Sequence, residues 1–201
     1  PKGTVIVDPH QFVLPPDLAP GRYRLDLGVR VSESSDLLLL PGNADRLPLV
    51  SMTVGEVSLP PPTSSADITF DGQLRLYGYD LSCEQDSSGC DLQLHWQALT
   101  PVDRDYTVFV HLLGSDGAIV AQHDAPPGDP FFPTSTWLPG EEIVGDHHLT
   151  LPSATPPGTY PLIVGLYHWP TGDRLQATDG DGNPIGDAAL LTTIDLGEHT
   201  P

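Results

Sequence analysis

An internal repeat limits the number of complete folding units that this chain of 201 residues can form. Residues 3–31 align without a gap onto residues 140–168 at a constant offset of 137, and eleven of the 29 aligned pairs are identical. The match returns at Gly55-Glu56 and Gly197-Glu198, now at an offset of 142. The second copy therefore carries five extra residues between the matched regions. A self-match of this length indicates two copies of one structural unit.

The spacing of prolines, glycines and apolar residues predicts short β-strands. The 23 prolines and 20 glycines interrupt the chain too often for long helices. Apolar residues alternate with polar ones over residues 91–98, whereas residues 106–113 are apolar on both faces, as in a central strand. The apolar phase reverses near Gly78, which predicts a β-bulge. The sequence thus predicts an all-β, antiparallel, immunoglobulin-like β-sandwich.

The repeat divides the chain into three predicted regions. Residues 66–201 form a complete sandwich unit, residues 1–59 are the C-terminal half of another unit, and residues 60–65 are a proline-rich linker. Half of a sandwich cannot close its own core and leaves strand edges unpaired. We therefore expect the half-repeat to pack on the complete domain, on another chain, or on residues that precede it in a longer protein.

The charge balance excludes several classes of partner. The chain has 27 acidic residues against eight lysines and arginines, a formal net charge of −19. Nucleic-acid binding requires clustered cations that neutralise phosphates, so we expect no nucleic-acid partner. No apolar run approaches the ~20 residues of a membrane-spanning helix, so we expect no direct membrane insertion. We expect a carbohydrate or a protein as the possible partner.

The two cysteines indicate the compartment. Cys83 and Cys90 are separated by six residues between predicted strands, a spacing typical of a disulfide that closes a hairpin loop. Two free thiols are the alternative. Because a disulfide forms in an oxidising environment, we expect an extracytoplasmic location, in the periplasm, at the cell surface or outside the cell.

One acidic loop has the composition of a calcium site. Asp179, Asp181 and Asn183 alternate with glycines, and Asp187 follows shortly after. Calcium takes roughly six to eight oxygen ligands, which converging Asp and Asn side chains can supply, so these four residues are the candidate metal ligands. The alternative is an acidic turn whose side chains accept hydrogen bonds from their own backbone. We expect no other cofactor.

A second candidate site lies in the proline-rich loop over residues 126–140. This loop contains Phe131, Phe132 and Trp137, and aromatic rings exposed on a sandwich can stack on sugar rings. In the alternative, the three rings close one end of the core beneath the loop. Trp169 lies beside a predicted hairpin tip and is expected to be partly exposed.

The sequence contains no recognisable catalytic motif. It has no Gly-x-Ser-x-Gly elbow, no His-Glu-x-x-His motif and no glycine-rich phosphate loop. His147 and His148 are adjacent, so in a strand they point to opposite faces and cannot bind one ion together. His10 aligns with His147, which indicates a structural role. We expect no enzymatic activity in this chain, with any catalysis located in another part of a parent protein.

A series of short motifs resembles a known type of domain. The motifs are LYGYDL at 76–81, LHWQAL at 94–99, DYTVFVHLL at 105–113, PTSTWLPG at 133–140, PGTY at 157–160 and GLY at 165–167. Together they resemble the extracytoplasmic β-sandwich tails of uncharacterised bacterial polytopic membrane proteins, whose membrane portions resemble glycosyltransferases of the dolichyl-phosphate-mannose mannosyltransferase type. The resemblance covers roughly residues 68–198 as one unit and 3–58 as half of another. It implies an extracytoplasmic sandwich and transfers no catalytic residue to this chain.

These observations lead to three hypotheses about function. The first is a non-catalytic extracytoplasmic module that acts as a spacer or interaction domain of a larger membrane-attached or secreted protein. The second is a carbohydrate-binding module linked to a glycosyltransferase, in which the aromatic loop stacks on sugars. The third is a calcium-stabilised, adhesin-like repeat, in which the Asp179 loop binds the ion.

Overall fold

The computed structural model describes residues 9–30, 47–84 and 88–197, and it divides the chain into two compact units. The first unit comprises Pro1–Ser58 and the second comprises Leu59–Pro201. The first strand of the second unit starts at Ser64, inside the segment predicted to be a linker. The proline-rich segment therefore leads directly into the second unit.

The first unit contains an antiparallel pair of strands, β1 (Gly21–Leu27) and β2 (Leu47–Val54). Tyr23, Leu25 and Leu27 alternate with charged residues along β1, which is the period of a strand with one apolar face. The register of the pair shifts between Leu25 and Asp26. A two-stranded sheet of this kind is only marginally stable without a layer packed against it.

The described residues of the second unit form eight long strands and three short ones. They are β3 (Ser64–Phe70), β4 (Leu74–Cys83), β5 (Gly89–Ala98), β6 (Thr107–Leu113), β7 (Ile119–Ala125), β8 (Glu142–Thr150), β9 (Gly158–His168), β10 (Asp173–Arg174), β11 (Ala177–Thr178), β12 (Pro184–Gly186) and β13 (Ala189–Leu196). A single 3₁₀ turn, Thr134–Thr136, is the one helical element among the described residues. Within this described part of the chain, no helix has the length and hydropathy needed to cross a bilayer.

The strands of the second unit form two antiparallel sheets that pack as a sandwich. One sheet has the order β12-β11-β3-β4-β5-β8, and the other has the order β10-β9-β6-β7, with β13 also paired to β9. β5 pairs with β8 in one sheet while β6 pairs with β9 in the other, as strands B–E and C–F do in immunoglobulin domains. The structure therefore confirms the predicted all-β antiparallel sandwich.

The core lies between the two sheets and follows the predicted alternation. In β5, Leu92, Leu94 and Trp96 are buried, and β6, which is central in its sheet, buries both Phe109 and Val110. Burying one large aliphatic side chain stabilises a fold by about 1.5–3 kcal/mol. The same core includes Phe70, Leu74, Leu76, Ala98, Val108, Leu112, Leu149, Leu162, Val164 and Leu166.

The β4–β5 hairpin contains both features that the sequence predicted there. The register shifts between Leu76 and Gly78, which is the predicted bulge, and a Cβ atom at Gly78 would collide with Pro62. Close packing of the segment that leads into β3 therefore requires glycine at this position. Cys83 faces Cys90 across the hairpin, and the two residues form the predicted disulfide.

The β1–β2 pair and the β9–β13 pair have the same register at the two offsets of the sequence repeat. Gly21 faces Val54, and Gly158 faces Leu196, at offsets of 137 and 142. The other pairs correspond in the same way: Tyr23–Met52 with Tyr160–Ile194, Leu25–Val50 with Leu162–Thr192, and Leu27–Leu47 with Val164–Ala189. The register shift also falls at the same aligned position in both pairs.

A tyrosine fixes the turn before each of these pairs. The hydroxyl of Tyr23 donates to the carbonyl of Ala19 over 2.9 Å, and the hydroxyl of Tyr160 donates to the carbonyl of Pro156 over 2.7 Å. This contact is the tyrosine corner of immunoglobulin-like domains. It follows from the Pro-Gly-x-Tyr motif that both segments contain.

The two aligned segments differ in burial. Val164 and Leu151 are buried in the second unit, whereas Leu27 and Leu14 at the aligned positions are 44% and 43% exposed. β8 pairs with β5, but the aligned residues 9–13 are not in a strand. In the second unit, a second sheet covers the aligned apolar residues. The described part of the first unit contains no second sheet, so its apolar residues are not covered in this way.

Candidate functional site

Four connections of the second unit meet at one end of the sandwich and form a two-lobed groove. They are the β3–β4 turn, the β5–β6 loop, the β7–β8 loop and the β9–β10 turn. Tyr106 and His168 line both lobes, with their rings edge to face at a centroid distance of 6.5 Å. Loops that gather at one end of a rigid sandwich are a common location for binding sites.

The first lobe is mainly apolar and has a volume of about 320 Å³. Trp169 follows the last residue of β9 and is 72% exposed. Four prolines stiffen the backbone around it, because each fixes its own φ angle. The residues that line this lobe are Asp105, Tyr106, Thr107, Pro126, Pro130, Pro133, His168, Trp169 and Pro170.

The second lobe is polar and has a volume of about 260 Å³. It contains Arg104 and Arg174, which are two of the three arginines in the second unit, together with three aspartates, Asp71, Asp103 and Asp173. Arg104 lies 3.9 Å from Asp103, and Arg174 lies 3.4 Å from Asp187. These exposed contacts are long, so each guanidinium group retains N–H donors that can reach a ligand.

Buried Thr134 holds two of the loops together. Its hydroxyl donates to the carbonyl of Arg104 over 2.7 Å and accepts from the N–H of Tyr106 over 2.9 Å. The N–H of Ser135 donates to the carboxylate of Asp105 over 3.2 Å. Because Thr134 is shielded from water, these bonds fix the β7–β8 loop against the β5–β6 loop.

A compact turn presents Trp169. The N–H groups of Thr171 and Gly172 donate to the carbonyl of His168 over 3.1 and 2.8 Å. The Thr171 hydroxyl donates to Asp173 over 2.8 Å and lies 3.1 Å from Nδ1 of His168. Gly172 has a φ angle of +74°, which residues with a side chain rarely adopt. The hydrogen bonds of this turn therefore fix the backbone that carries Trp169, although its side chain is exposed.

Two tyrosines near the groove have raised pKa values. Burial raises the pKa of Tyr106, and the nearby carboxylate of Asp103 raises it further. Burial also raises the pKa of Tyr167 to about 12, together with the hydrogen bond that its hydroxyl donates to Asp124 over 3.0 Å. The Tyr167 ring lies 6.1 Å from that of Trp169. Both hydroxyls therefore stay protonated at neutral pH.

The three aromatic residues that were predicted to stack on sugars differ in how far they are exposed. Trp137 is buried, and its indole N–H donates to the carbonyl of Phe132 over 2.8 Å, so its ring is part of the core and is closed to a ligand. Phe132 is partly buried, whereas Phe131 is 65% exposed. Trp169 lines the groove, and sequence reasoning did not include it among the site residues. Its place between a strand and the turn sequence Pro-Thr-Gly-Asp was the available signal.

The structure does not bring the four predicted calcium ligands together. The carboxylate of Asp179 accepts from the N–H groups of Asp181 and Asn183 over 3.0 and 2.8 Å, and from the Asn183 side chain. The bond from the Asn183 side chain is the main cause of a lowered pKa at Asp179. Asp187 lies beside Arg174 instead. Over residues 9–30, 47–84 and 88–197, no group of three or more His, Cys, Asp or Glu side chains has the arrangement of a metal site.

Two histidines meet where the edges of the two sheets adjoin. Nδ1 of His123 on β7 lies 3.1 Å from Nδ1 of His147 on β8, which belongs to the other sheet. His147 is buried, and this burial, with the charge of His123, lowers its pKa to about 4. His148 points to the opposite face, as predicted, and lies 2.7 Å from Asp91. The histidine pair thus links the sheets, a role that sequence reasoning missed because these consecutive strands belong to different sheets and do not pair.

Comparison with known proteins gives a weak structural likeness and no sequence match. No family model and no curated protein sequence matches the chain. Among solved structures, the crystal structure of the C-terminal domain of wzt is similar, with a TM-score of 0.41 and 13% sequence identity. The match covers 70% of this chain and 92% of that chain. A likeness at this level carries no functional argument, and no family or sequence match supports the resemblance to the tails of membrane glycosyltransferases.

Proposed function

We propose that this chain is a non-catalytic binding module of a larger extracytoplasmic protein, membrane-attached or secreted, and that it binds carbohydrate in the two-lobed groove. The observation that carries the proposal is the exposed ring of Trp169 next to a polar lobe with Arg104 and Arg174. An indole ring offers a flat apolar surface to the C–H face of a sugar. Carboxylates and guanidinium groups form hydrogen bonds with the hydroxyls at the edge of the same sugar.

The size and charge of the groove favour a short neutral glycan. Small-molecule sites typically have volumes of roughly 300–1,000 Å³, and two adjoining lobes suit more than one sugar unit. The second unit contains 20 of the 27 acidic residues and only three of the eight cations. A unit with this charge repels polyanions, so a glycan without acidic groups is the expected ligand.

Two observations support the module as a binding domain outside the cytoplasm. The Cys83–Cys90 disulfide is typical of proteins that fold in an oxidising compartment. Trp169 is not an isolated exposed ring, because it lines a groove whose adjoining lobe contains two arginines and three aspartates. Binding at this end of the sandwich accounts for both the rigid loops and the exposed ring.

A glycan array probed with the full chain, followed by calorimetric titration of a bound glycan, tests the proposal. We expect Trp169→Ala to weaken binding roughly tenfold or more because the stacking surface is lost, and Trp169→Phe to weaken it less. Leu190→Ala is the matched control, because Leu190 is 61% exposed on β13 and does not line the groove.

Two results of the array and the titrations would refute the proposal. One is that no glycan binds the wild-type chain, and the other is that Trp169→Ala binds as tightly as wild type. Phe131→Ala distinguishes the groove from the outer part of the β7–β8 loop, because Phe131 is the other exposed ring at this end of the sandwich and does not line the groove. Loss of binding in Phe131→Ala alone would move the site to the loop that the sequence indicated.

A further inference from the structure

The first unit presents an apolar sheet face whose counterpart in the second unit is covered. Leu27 and Val29 are 44% and 49% exposed, whereas Val164 and Leu166 at the aligned positions are fully buried. In the second unit these positions form one core with residues of the β3–β4–β5–β8 sheet. The shared register of β1–β2 and β9–β13 places Leu27 on the equivalent face, and Val29 aligns with buried Leu166 two positions further along the chain.

We propose that this face is covered in solution by the same face of a second copy of the chain, an interaction that goes beyond the proposed carbohydrate binding. We define the open face by the residues Leu25, Leu27, Val29, Leu47 and Val50. Two such faces in contact form a sandwich of two sheets, which is the packing that a two-stranded sheet lacks on its own. A two-fold axis brings the same residues to both sides of the contact.

The distribution of charge favours a second copy as the partner. Residues 1–58 contain five of the eight lysines and arginines and seven of the 27 acidic residues, a formal charge of −2. Residues 59–201 have a formal charge of −17. Two first units can therefore approach each other with little repulsion, whereas the second units of two chains repel each other.

Sedimentation velocity of the full chain over a range of concentrations tests the proposal. We expect a reversible equilibrium between monomer and dimer. Val50→Glu places a charge in the open face and should raise the dimer dissociation constant roughly tenfold or more. Ile119→Glu is the matched control, because Val50 and Ile119 are both 49% exposed but Ile119 lies on β7 of the second unit, so it should leave the constant unchanged.

Cysteine cross-linking gives a measurement that does not depend on the folding of a charged variant. The described cysteines form one disulfide, so Leu27→Cys adds a single thiol that should link two copies on mild oxidation. Ile119→Cys should remain unlinked. A chain that stays monomeric at all concentrations, or that links through Ile119→Cys, overturns the proposal. If the chain is monomeric and the thiol of Leu27→Cys resists alkylation, the open face is covered within one chain. This result also overturns the proposal.

Discussion

The two units share a turn and a strand register, but they differ in what their apolar residues contact. In each unit a tyrosine hydroxyl binds the carbonyl four residues before it, and the following strands pair at the same offsets. The second unit buries Leu151 and Val164, whereas Leu14 and Leu27 at the aligned positions of the first unit are exposed. The comparison shows that local sequence determines turn and register, while burial requires a partner sheet.

The same comparison explains why one aligned segment forms a strand and the other does not. Residues 142–150 form β8, which pairs with β5 along its whole length. Residues 9–13 include His10, which is identical to the aligned His147, and they are not in a strand. Strand formation depends on pairing and burial more than on intrinsic preference. Residues 9–13 therefore have no partner strand within the described part of the first unit.

Truncation of the core should give the largest difference between the units. Leu162→Ala leaves a cavity at a fully buried position and should lower the free energy of unfolding of the second unit by about 2–5 kcal/mol. Leu25→Ala at the aligned position should leave that transition unchanged. All three tryptophans lie in the second unit, so tryptophan fluorescence during urea unfolding reports on this unit. Equal decreases in the free energy of unfolding in Leu162→Ala and Leu25→Ala would contradict the comparison between the units.

Acid should destabilise the second unit through His147. Burial beside His123 lowers the pKa of His147 from 6.5 to about 4, so between these values the unfolded chain binds a proton that the folded chain does not. The free energy of unfolding should therefore fall as the pH drops from 6.5 to 4, by up to roughly 3 kcal/mol.

Urea unfolding at pH 7 and pH 4.5 measures this effect when wild type is compared with His147→Gln. His148→Gln changes an exposed neighbour on the same strand and should keep the pH dependence of wild type. If His147→Gln also keeps it, His147 is not the source of the acid sensitivity.

Removal of the tyrosine corner should have a moderate effect. Tyr160→Phe deletes the hydrogen bond to Pro156 and should lower the free energy of unfolding by about 0.5–1.5 kcal/mol, as measured by tryptophan fluorescence. Tyr23→Phe deletes the corresponding bond to Ala19 in the first unit and should not move that transition. A neutral Tyr160→Phe variant would show that the corner does not stabilise the sandwich.

Calcium should have the smallest effect. The carboxylate of Asp179 is engaged by donors of its own loop, so we expect the melting temperatures in calcium and in chelator to differ by less than about 1 °C. Asp179→Ala removes these bonds and should lower the melting temperature equally in both solutions. A calcium-dependent rise in wild type that Asp179→Ala abolishes would instead support the adhesin-like hypothesis.

The features that could be predicted from the sequence depend on neighbours along the chain. The alternation in β5, the bulge at Gly78 and the Cys83–Cys90 disulfide each follow from a short segment or from two adjacent strands. The groove depends on long-range packing, because Trp169 and Arg104 come from loops 65 positions apart. The turn sequence predicted that Trp169 is exposed, but it did not predict which side chains of the other loops lie beside the ring.

We claim that β1 and β2 are the structural counterpart of β9 and β13. Arg22 faces Thr53 in the first unit, and Thr159 faces Asp195 at the aligned positions of the second. Residues directly opposite on antiparallel strands are about 4.5–5.5 Å apart between Cα atoms, within the range of a disulfide. We expect oxidation of Arg22→Cys/Thr53→Cys to give an intrachain disulfide, as Thr159→Cys/Asp195→Cys should. Absence of this bond, or preferential formation of the off-register bond in Arg22→Cys/Met52→Cys, would contradict the claim.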